Sequence, residues 1–210
     1  VVTISRQFGA GGRTLGALIA ERLGYTLINE QIVEEIALEA NVSPQWVNQV
    51  SNEAGGGGWL AKIMYKLGPF RNGYQAVAME DKPGYIDGNL YISLLHKVIP
   101  KIAENDNVVI LGRGGQYILA DYPNTYHLFM VADLSQRVQF MMDHYNMTQK
   151  QAQIVVDKQS KRRLNLFRYF GREDYDSPKL YHLVLNMSKL SMEDATRAVA
   201  GLVAAPPPSE

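Results

Sequence analysis

Val1-Val2-Thr3-Ile4-Ser5-Arg6-Gln7-Phe8-Gly9-Ala10-Gly11-Gly12-Arg13-Thr14 is the stretch whose reading decides the fold. A short β-branched run leads into a glycine-rich turn. Helical spacing follows at once, with Leu15, Leu18, Ile19 and Leu23. The order is strand, glycine loop, helix. Glycines let the backbone curl so that several N–H groups point inward, and the helix N-terminus adds the positive end of its dipole. Together they make a site for phosphate.

The loop departs from the pattern G-x-x-x-x-G-K-[ST]. Two registers can be laid on it. In the first, Gly12-Arg13-Thr14 stands for Gly-Lys-Thr, and Gln7 takes the place of the first glycine. In the second, Arg6 takes that place, Gly11 is the second glycine, and Gly12 stands at the lysine position. Neither register supplies a lysine. The first is preferred, because it keeps a permanent cation and a hydroxyl beside the phosphates. Arg13 can bind phosphate oxygens in a fork, and Thr14 can reach Mg²⁺. The plain alternative is a glycine-rich turn with no ligand.

A chain of 210 residues is long enough for one large domain with a good core. No stretch reads as a membrane span, and no signal peptide is expected where the sequence opens on a strand. Cysteine is absent, so there is no disulfide framework and no thiolate nucleophile. A cytoplasmic setting is expected. The 21 basic and 21 acidic residues cancel, so bulk charge supports neither a nucleic-acid nor a membrane-surface partner. His96, His127, His144 and His182 have no metal-ligand spacing. Trp46 and Trp59 read as packing residues.

Strands and helices alternate along the rest of the chain. Strands are predicted at Tyr25–Ile28, Val108–Leu111, Tyr126–Val131 and Tyr181–Leu185. Helical spacing runs over Gln31–Ala40 and Asp87–Ala103. Ser43-Pro44 opens a further helix through Val50. Capping-box patterns begin at Asp133 and Thr148, and Ser191 caps the last helix. Ala54–Gly58 reads as flexible, and Ala205–Glu210 as a disordered tail. Strands separated by helices imply a parallel sheet with helices on both faces, which binds ligands at the carboxyl ends of its strands.

Two further clusters carry chemistry. Gly112-Arg113-Gly114-Gly115 directly follows the wholly apolar strand Val108–Leu111. A charge at a buried strand end is costly unless paired. Arg113 is read as the holder of a second substrate's phosphate, with a salt bridge to a carboxylate as the alternative. Lys161-Arg162-Arg163, Arg168 and Arg172 alternate with Leu164, Phe167, Tyr169 and Phe170. Such a run is often a solvated helix face or an RNA-stacking surface. Following two phosphate-type loops, it reads better as a lid whose arginines neutralise a phosphoryl group in transfer.

The run Ile4–Arg13, then Val109–Gly114, then Lys161-Arg162-Arg163 with Tyr169 and Gly171-Arg172-Glu173, then Leu183–Leu190, resembles the cytidylate kinase-like family. The likeness extends in order from Val1 to about Val203. It implies a three-layer α/β P-loop kinase fold with a five-stranded parallel sheet, a helical acceptor-binding insertion and a lid. The implied division is a single domain over 1–204. Its core spans 1–29, 107–156 and 178–204, its insertion 30–106 and its lid 157–177, with 205–210 as tail. The implied activity is ATP- and Mg²⁺-dependent phosphoryl transfer to a nucleoside monophosphate, CMP or dCMP. Gly9, Ala10, Gly11, Gly12, Arg13 and Thr14 would hold the ATP phosphates, with Thr14 also helping to place the metal. Asn186 and Ser188 would lie near adenine. Arg113 and Asn29 would bind the acceptor, and Arg13, Arg162, Arg163 and Arg168 would act on the group in transfer. Asn29 stands where the family usually has aspartate, and Gly114 where an acidic residue is expected. The rival readings are a small-metabolite kinase on the same fold and a nucleotide-binding regulatory protein without turnover.

Overall fold

The computed structural model describes residues 1–29, 31–39 and 88–204. The helix expected from Ser43, the flexible Ala54–Gly58 and the tail from Ala205 lie outside the described residues. The strands are β1 (Val2–Arg6), β2 (Thr26–Ile28), β3 (Val108–Leu111), β4 (Tyr126–Val131) and β5 (Leu183–Asn186). The described helices are α1 (Gly12–Leu23), α2 (Gln31–Glu39), α3 (Gly88–Ala103), α4 (Gly115–Ile118), α5 (Leu134–Tyr145), α6 (Gln149–Tyr169) and α7 (Met192–Ala204). A 3₁₀ turn at Pro178–Leu180 precedes β5.

All five strands are parallel, in the order β2-β3-β1-β4-β5. Strand side chains alternate between faces, and β3 divides its four apolar residues accordingly. Val108 and Ile110 join α2 and α3 in one core, with Ile32, Ile36, Leu95 and Ile99. Val109 and Leu111 join α1 and α7 in the other, with Leu15, Ile19, Ala195 and Val199. Both faces are therefore covered, which is why β3 is wholly buried and continuously apolar. A smaller core between α5 and α6 holds Val138, Met141, Ala152 and Val156, with Phe8 of the glycine loop against it.

Two local expectations change. The last strand begins at Leu183, not Tyr181, because Tyr181 caps the 3₁₀ turn and Leu183 is the first to pair, with Leu128. The capping box at Thr148 forms, with the Thr148 hydroxyl accepting from Gln151 N–H. The one expected at Asp133 does not form. The Asp133 N–H is already donated to Ser188 Oγ at 2.7 Å, so Gln136 has no donor to reach back to. Among the described residues, no helix is long and apolar enough to cross a membrane.

One buried pair joins the two central strands by their side chains. Thr3 of β1 lies opposite His127 of β4, and Thr3 Oγ1 is 2.7 Å from His127 Nδ1. His127 is only 4% exposed. Burial, reinforced by neighbouring His182, lowers its pKa from 6.5 to about 4. The neutral ring is thus favoured in the fold and the charged ring in the unfolded chain. The resulting stabilisation is complete above pH 6.5 and fades as pH falls towards 4, to a limit of about 3 kcal/mol. Urea unfolding should show stability falling between pH 6.5 and 4. His127→Asn should be less stable at pH 7 and show a shallower fall.

Candidate active site

The glycine loop is clamped before its helix begins. Gln7 N–H donates to Met130 O at 2.9 Å, and Gln7 Oε1 accepts from Ala132 N–H at 3.0 Å. Arg137 of α5 donates from Nε to Ala132 O and from Nη1 to Phe8 O, at 3.0 and 3.5 Å. These bonds tie the loop to the end of β4. At the other end of the loop, Gly11 precedes α1 in a left-handed conformation, and no side chain caps the helix there. A helix start without a side-chain cap offers its first N–H groups to an anion. Arg13 and Thr14 follow in the first turn of α1 and are exposed. Neither lines the arginine-rich cavity described below. Asn186 and Ser188 lie at the end of β5, beside the end of β4. Ser188 N–H donates to Asn186 Oδ1 at 3.0 Å, while its hydroxyl holds Asp133.

The second loop lies beside the first because β3 pairs with β1. Gly112 N–H donates to Ile4 O at 3.0 Å, extending that pairing by one residue. Gly112, Arg113 and Gly114 then take three successive positive φ values, 77°, 59° and 74°. Arg113 is the non-glycine member, and a side chain held in the left-handed region marks a position the surroundings enforce. Its Nη1 donates to Tyr91 Oη of α3 at 2.5 Å. A Cβ on Gly114 would lie 2.3 Å from Phe170 Cζ. The ring at the end of α6 fills the space where an acidic side chain was expected.

A cavity of about 190 Å³ lies at this junction, lined by Arg6, Arg113, Arg162 and Arg163 together with Ser5, Phe8, Asn29 and Gln159. The side of α6 that packs inward, with Val155, Val156 and Gln159 buried, delivers Arg162 and Arg163. Arg163 donates from Nη1 to the carbonyl of Arg6 and lies over the Phe8 ring at 5.5 Å. Of the residues expected to act together, the fold thus brings Arg113, Asn29, Arg162 and Arg163 into one cavity. Arg168 is not among them. It lies on the exposed side of α6, 3.6 Å from Glu173. Arg172 is likewise engaged elsewhere, forked onto Asp174 at 3.0 and 2.9 Å.

The guanidiniums crowd one another. Burial lowers the pKa of Arg163 to about 10, with Arg162 adding repulsion. Arg6 is pushed well below its usual value by burial and then by Arg163 and Arg113. Arginine still stays charged at neutral pH. The part of the lowering that comes from neighbouring arginines is the repulsion an incoming anion would relieve. Arg6 is the residue that motif reading missed, having entered only as a misfit in the first-glycine position. The signal for it is the one that marks Arg113, an arginine at the carboxyl end of a strand beside a glycine-rich loop. Tyr91 and Arg137 carried no comparable signal. Their roles depend on contacts 22 and 129 residues away in sequence.

The fold is shared with solved structures at low identity. An uncharacterized protein from Eubacterium ventriosum superposes with a TM-score of 0.65 at 19% identity, covering 96% of each chain. A shikimate kinase from Bacteroides thetaiotaomicron does so with a TM-score of 0.52 at 14% identity, covering 97% of this chain and 98% of that one. The five-stranded parallel sheet with its helices has the P-loop kinase fold. No curated protein matches the sequence. The sequence model that does match, over residues 1–189, is that of the cytidylate kinase-like family, and this chain belongs to that family.

Proposed function

We propose that the protein transfers the γ-phosphoryl group of ATP to a nucleoside monophosphate, CMP or dCMP. Phosphoryl transfer is the chemistry of the family and the fold. The acceptor class rests on one observation, the convergence of four arginines on a single cavity between the two glycine loops. A monophosphate acceptor brings its own anionic charge there. It also needs no proton removed before it attacks. A hydroxyl acceptor would need a base, and Asn29, which lines the cavity, is a neutral amide with no basic site. The cavity is smaller than the ~300–1,000 Å³ of whole-ligand pockets. It fits the reacting phosphates, while adenine and the acceptor base extend beyond it.

In this reading the amides of Gly9 to Thr14 hold the ATP phosphates, Arg13 draws them in at the exposed start of α1, and adenine lies towards Asn186 and Ser188. Thr14 supplies a hydroxyl oxygen in the first turn of α1. Mg²⁺ prefers oxygen, keeps several waters and needs only one or two protein ligands beside the phosphates, so Thr14 fits an ion carried in on ATP. Such an ion neutralises charge on the phosphates when bound. Arg113 orients the acceptor phosphate, with Tyr91 holding the guanidinium in place. Arg162 and Arg163 stabilise charge on the group in transfer and keep water out. Residues 30–106 would form the acceptor-binding insertion, and 157–177 the lid, although α6 runs unbroken from Gln149 through position 157.

A coupled assay of ADP release across a panel of monophosphates and small hydroxyl acceptors tests the reading. CMP and dCMP should be phosphorylated in preference to AMP and GMP. Turnover of hydroxyl acceptors alone would assign a small-metabolite kinase. Nucleotide binding with no turnover, at enzyme concentrations near the substrate's, would leave a regulatory protein.

The arginines should separate by kinetics. Arg113→Ala should raise the acceptor KM at least ~10-fold with little change for ATP, since one charge-assisted bond is lost in ground and transition states alike. Arg163→Ala should lower kcat by about 100-fold, as expected for a donor that meets charge mainly in the transition state. Arg168 joins the set only if the end of α6 closes over both substrates. In that case Arg168→Ala also loses kcat and the segment from 161 to 172 gains protection from hydrogen exchange with a bisubstrate analogue. An unchanged kcat removes Arg168 from the mechanism.

A further inference from the structure

Gly12 poses a question that its backbone does not answer. It lies in the first turn of α1 at an ordinary helical φ, unlike Gly9 and Gly11, which are left-handed. Helical geometry prefers almost any other residue to glycine. The reason is spatial. A Cβ at residue 12 would lie 2.9 Å from Arg6 Cγ, 3.1 Å from Cδ and 3.3 Å from Nε. The stem of Arg6 therefore runs directly over Gly12. Its far end reaches the other loop, where a Cβ on Gly112 would lie 2.1 Å from Arg6 Nη1. Arg6 thus bridges the donor and acceptor loops, and it lies across two glycines whose missing side chains make room for it. In the second register of the loop motif, residue 12 is the lysine position.

We infer that Arg6 supplies the phosphate-binding cation that the loop lacks at residue 12, entering the same space from the end of β1 instead of from the start of α1. Three observations converge on this. The Arg6 side chain occupies the volume above Gly12. Its guanidinium lines the cavity between the loops with Arg113, Arg162 and Arg163. No carboxylate among the described residues pairs with it, and the charges that act on it, Arg163 and Arg113, are cations. A P-loop lysine follows the phosphates as a flexible point charge. Arg6 instead presents a planar fork whose stem is held between two loops, at the point where a phosphoryl group would pass from one to the other. The carbonyl of Arg6 accepts from Arg163, so the strand end that carries this cation is itself braced by α6. The inference rests on the ATP-dependent transfer proposed above, and not on the identity of the acceptor.

The test moves the cation back to the lysine position. MgATP affinity is measured by competition against a fluorescent ATP analogue for wild type, Arg6→Ala, Arg6→Met, Gly12→Lys and the double variant Arg6→Ala/Gly12→Lys. Folding of each is checked by circular dichroism melting. Arg6→Ala should weaken MgATP binding at least ~10-fold, the loss of one charge-assisted bond. Arg6→Met keeps the stem over Gly12 and should show the same loss if the alanine variant does not fold. The double variant should regain most of the affinity, because the vacated volume accepts the lysine. Gly12→Lys alone should melt at a lower temperature than wild type, because its Cβ collides with the Arg6 stem. Unchanged MgATP affinity in Arg6→Ala or Arg6→Met overturns the inference. So does a folded double variant that binds no better than the corresponding Arg6 variant. If affinity follows Arg6 but no monophosphate is phosphorylated, the acceptor reading fails and this inference stands. If CMP is turned over by Arg6→Met with wild-type constants, the inference fails and the acceptor reading stands.

Discussion

Parallel pairing of β1 with β3 is the constraint from which the site follows. Val2 lies opposite Val109 and Ile4 opposite Leu111, so β1 runs two residues past the end of β3. β1 ends on Arg6 at the glycine loop, and β3 is followed by Gly112-Arg113-Gly114. The Gly112 N–H bond to Ile4 O continues the pairing into the second loop. Two segments a hundred residues apart in the chain are thereby held one strand spacing apart, roughly 4.8 Å. A shift of one residue in register would turn every side chain of β3 to the other face and separate the two cores. Val2 and Ile4 in the core on one face of β1, and the buried Thr3–His127 and Ser5–Gln116 hydrogen bonds, make such a shift costly. The same packing that stabilises the domain therefore fixes the distance between donor and acceptor loops.

The cost of that arrangement is local. Arg6, Arg113, Arg162 and Arg163 line one cavity, and like charges brought together in a partly desolvated space repel. At an effective dielectric of 20, two unit charges 4 Å apart repel by about 4 kcal/mol. Among the described residues, uncharged groups help to hold them there. Tyr91 receives the Arg113 guanidinium, and a backbone carbonyl receives that of Arg163, which also lies over the Phe8 ring. Sites that repel themselves when empty are strong anion binders when filled, and this is the electrostatic preorganisation that phosphoryl transfer requires.

The aromatic residues of α6 and the segment after it connect this charge cluster to the rest of the domain. Phe170 rests on Gly114 and lies 5.7 Å from the Tyr117 ring, while Phe167 stacks on Tyr175 at 4.8 Å. Phe167, Phe170 and Tyr175 fall within the segment 157–177 read from sequence as a lid. In the fold they also form the surface on which the arginine-bearing helix is seated, so the position of Arg162 and Arg163 depends on ring packing as well as on helix phase. Arg168 and Arg172, in the same basic run, face other partners because helical phase turns Arg168 outward and Asp174 captures Arg172.

The sequence alone determined the features that are local in the chain. Strand, glycine loop and helix at the start, the apolar run at Val108–Leu111, the Thr148 capping box and the Ser191 cap all depend on residues within a few positions of one another, and periodicity and capping chemistry report such relations directly. Ordered motifs along the chain also carried the family and the fold. Tertiary structure decided what depends on distant groups meeting. The Asp133 capping box failed because Ser188, 55 residues away, takes its donor. Gly114 is glycine where an acid was expected because Phe170 fills its side-chain space. Arg6 joined the site, and Arg13 came to lie outside the cavity, because strand pairing and helix phase set the direction of each side chain. No spacing rule encodes those directions, since they arise only when β1, β3 and α6 are packed together.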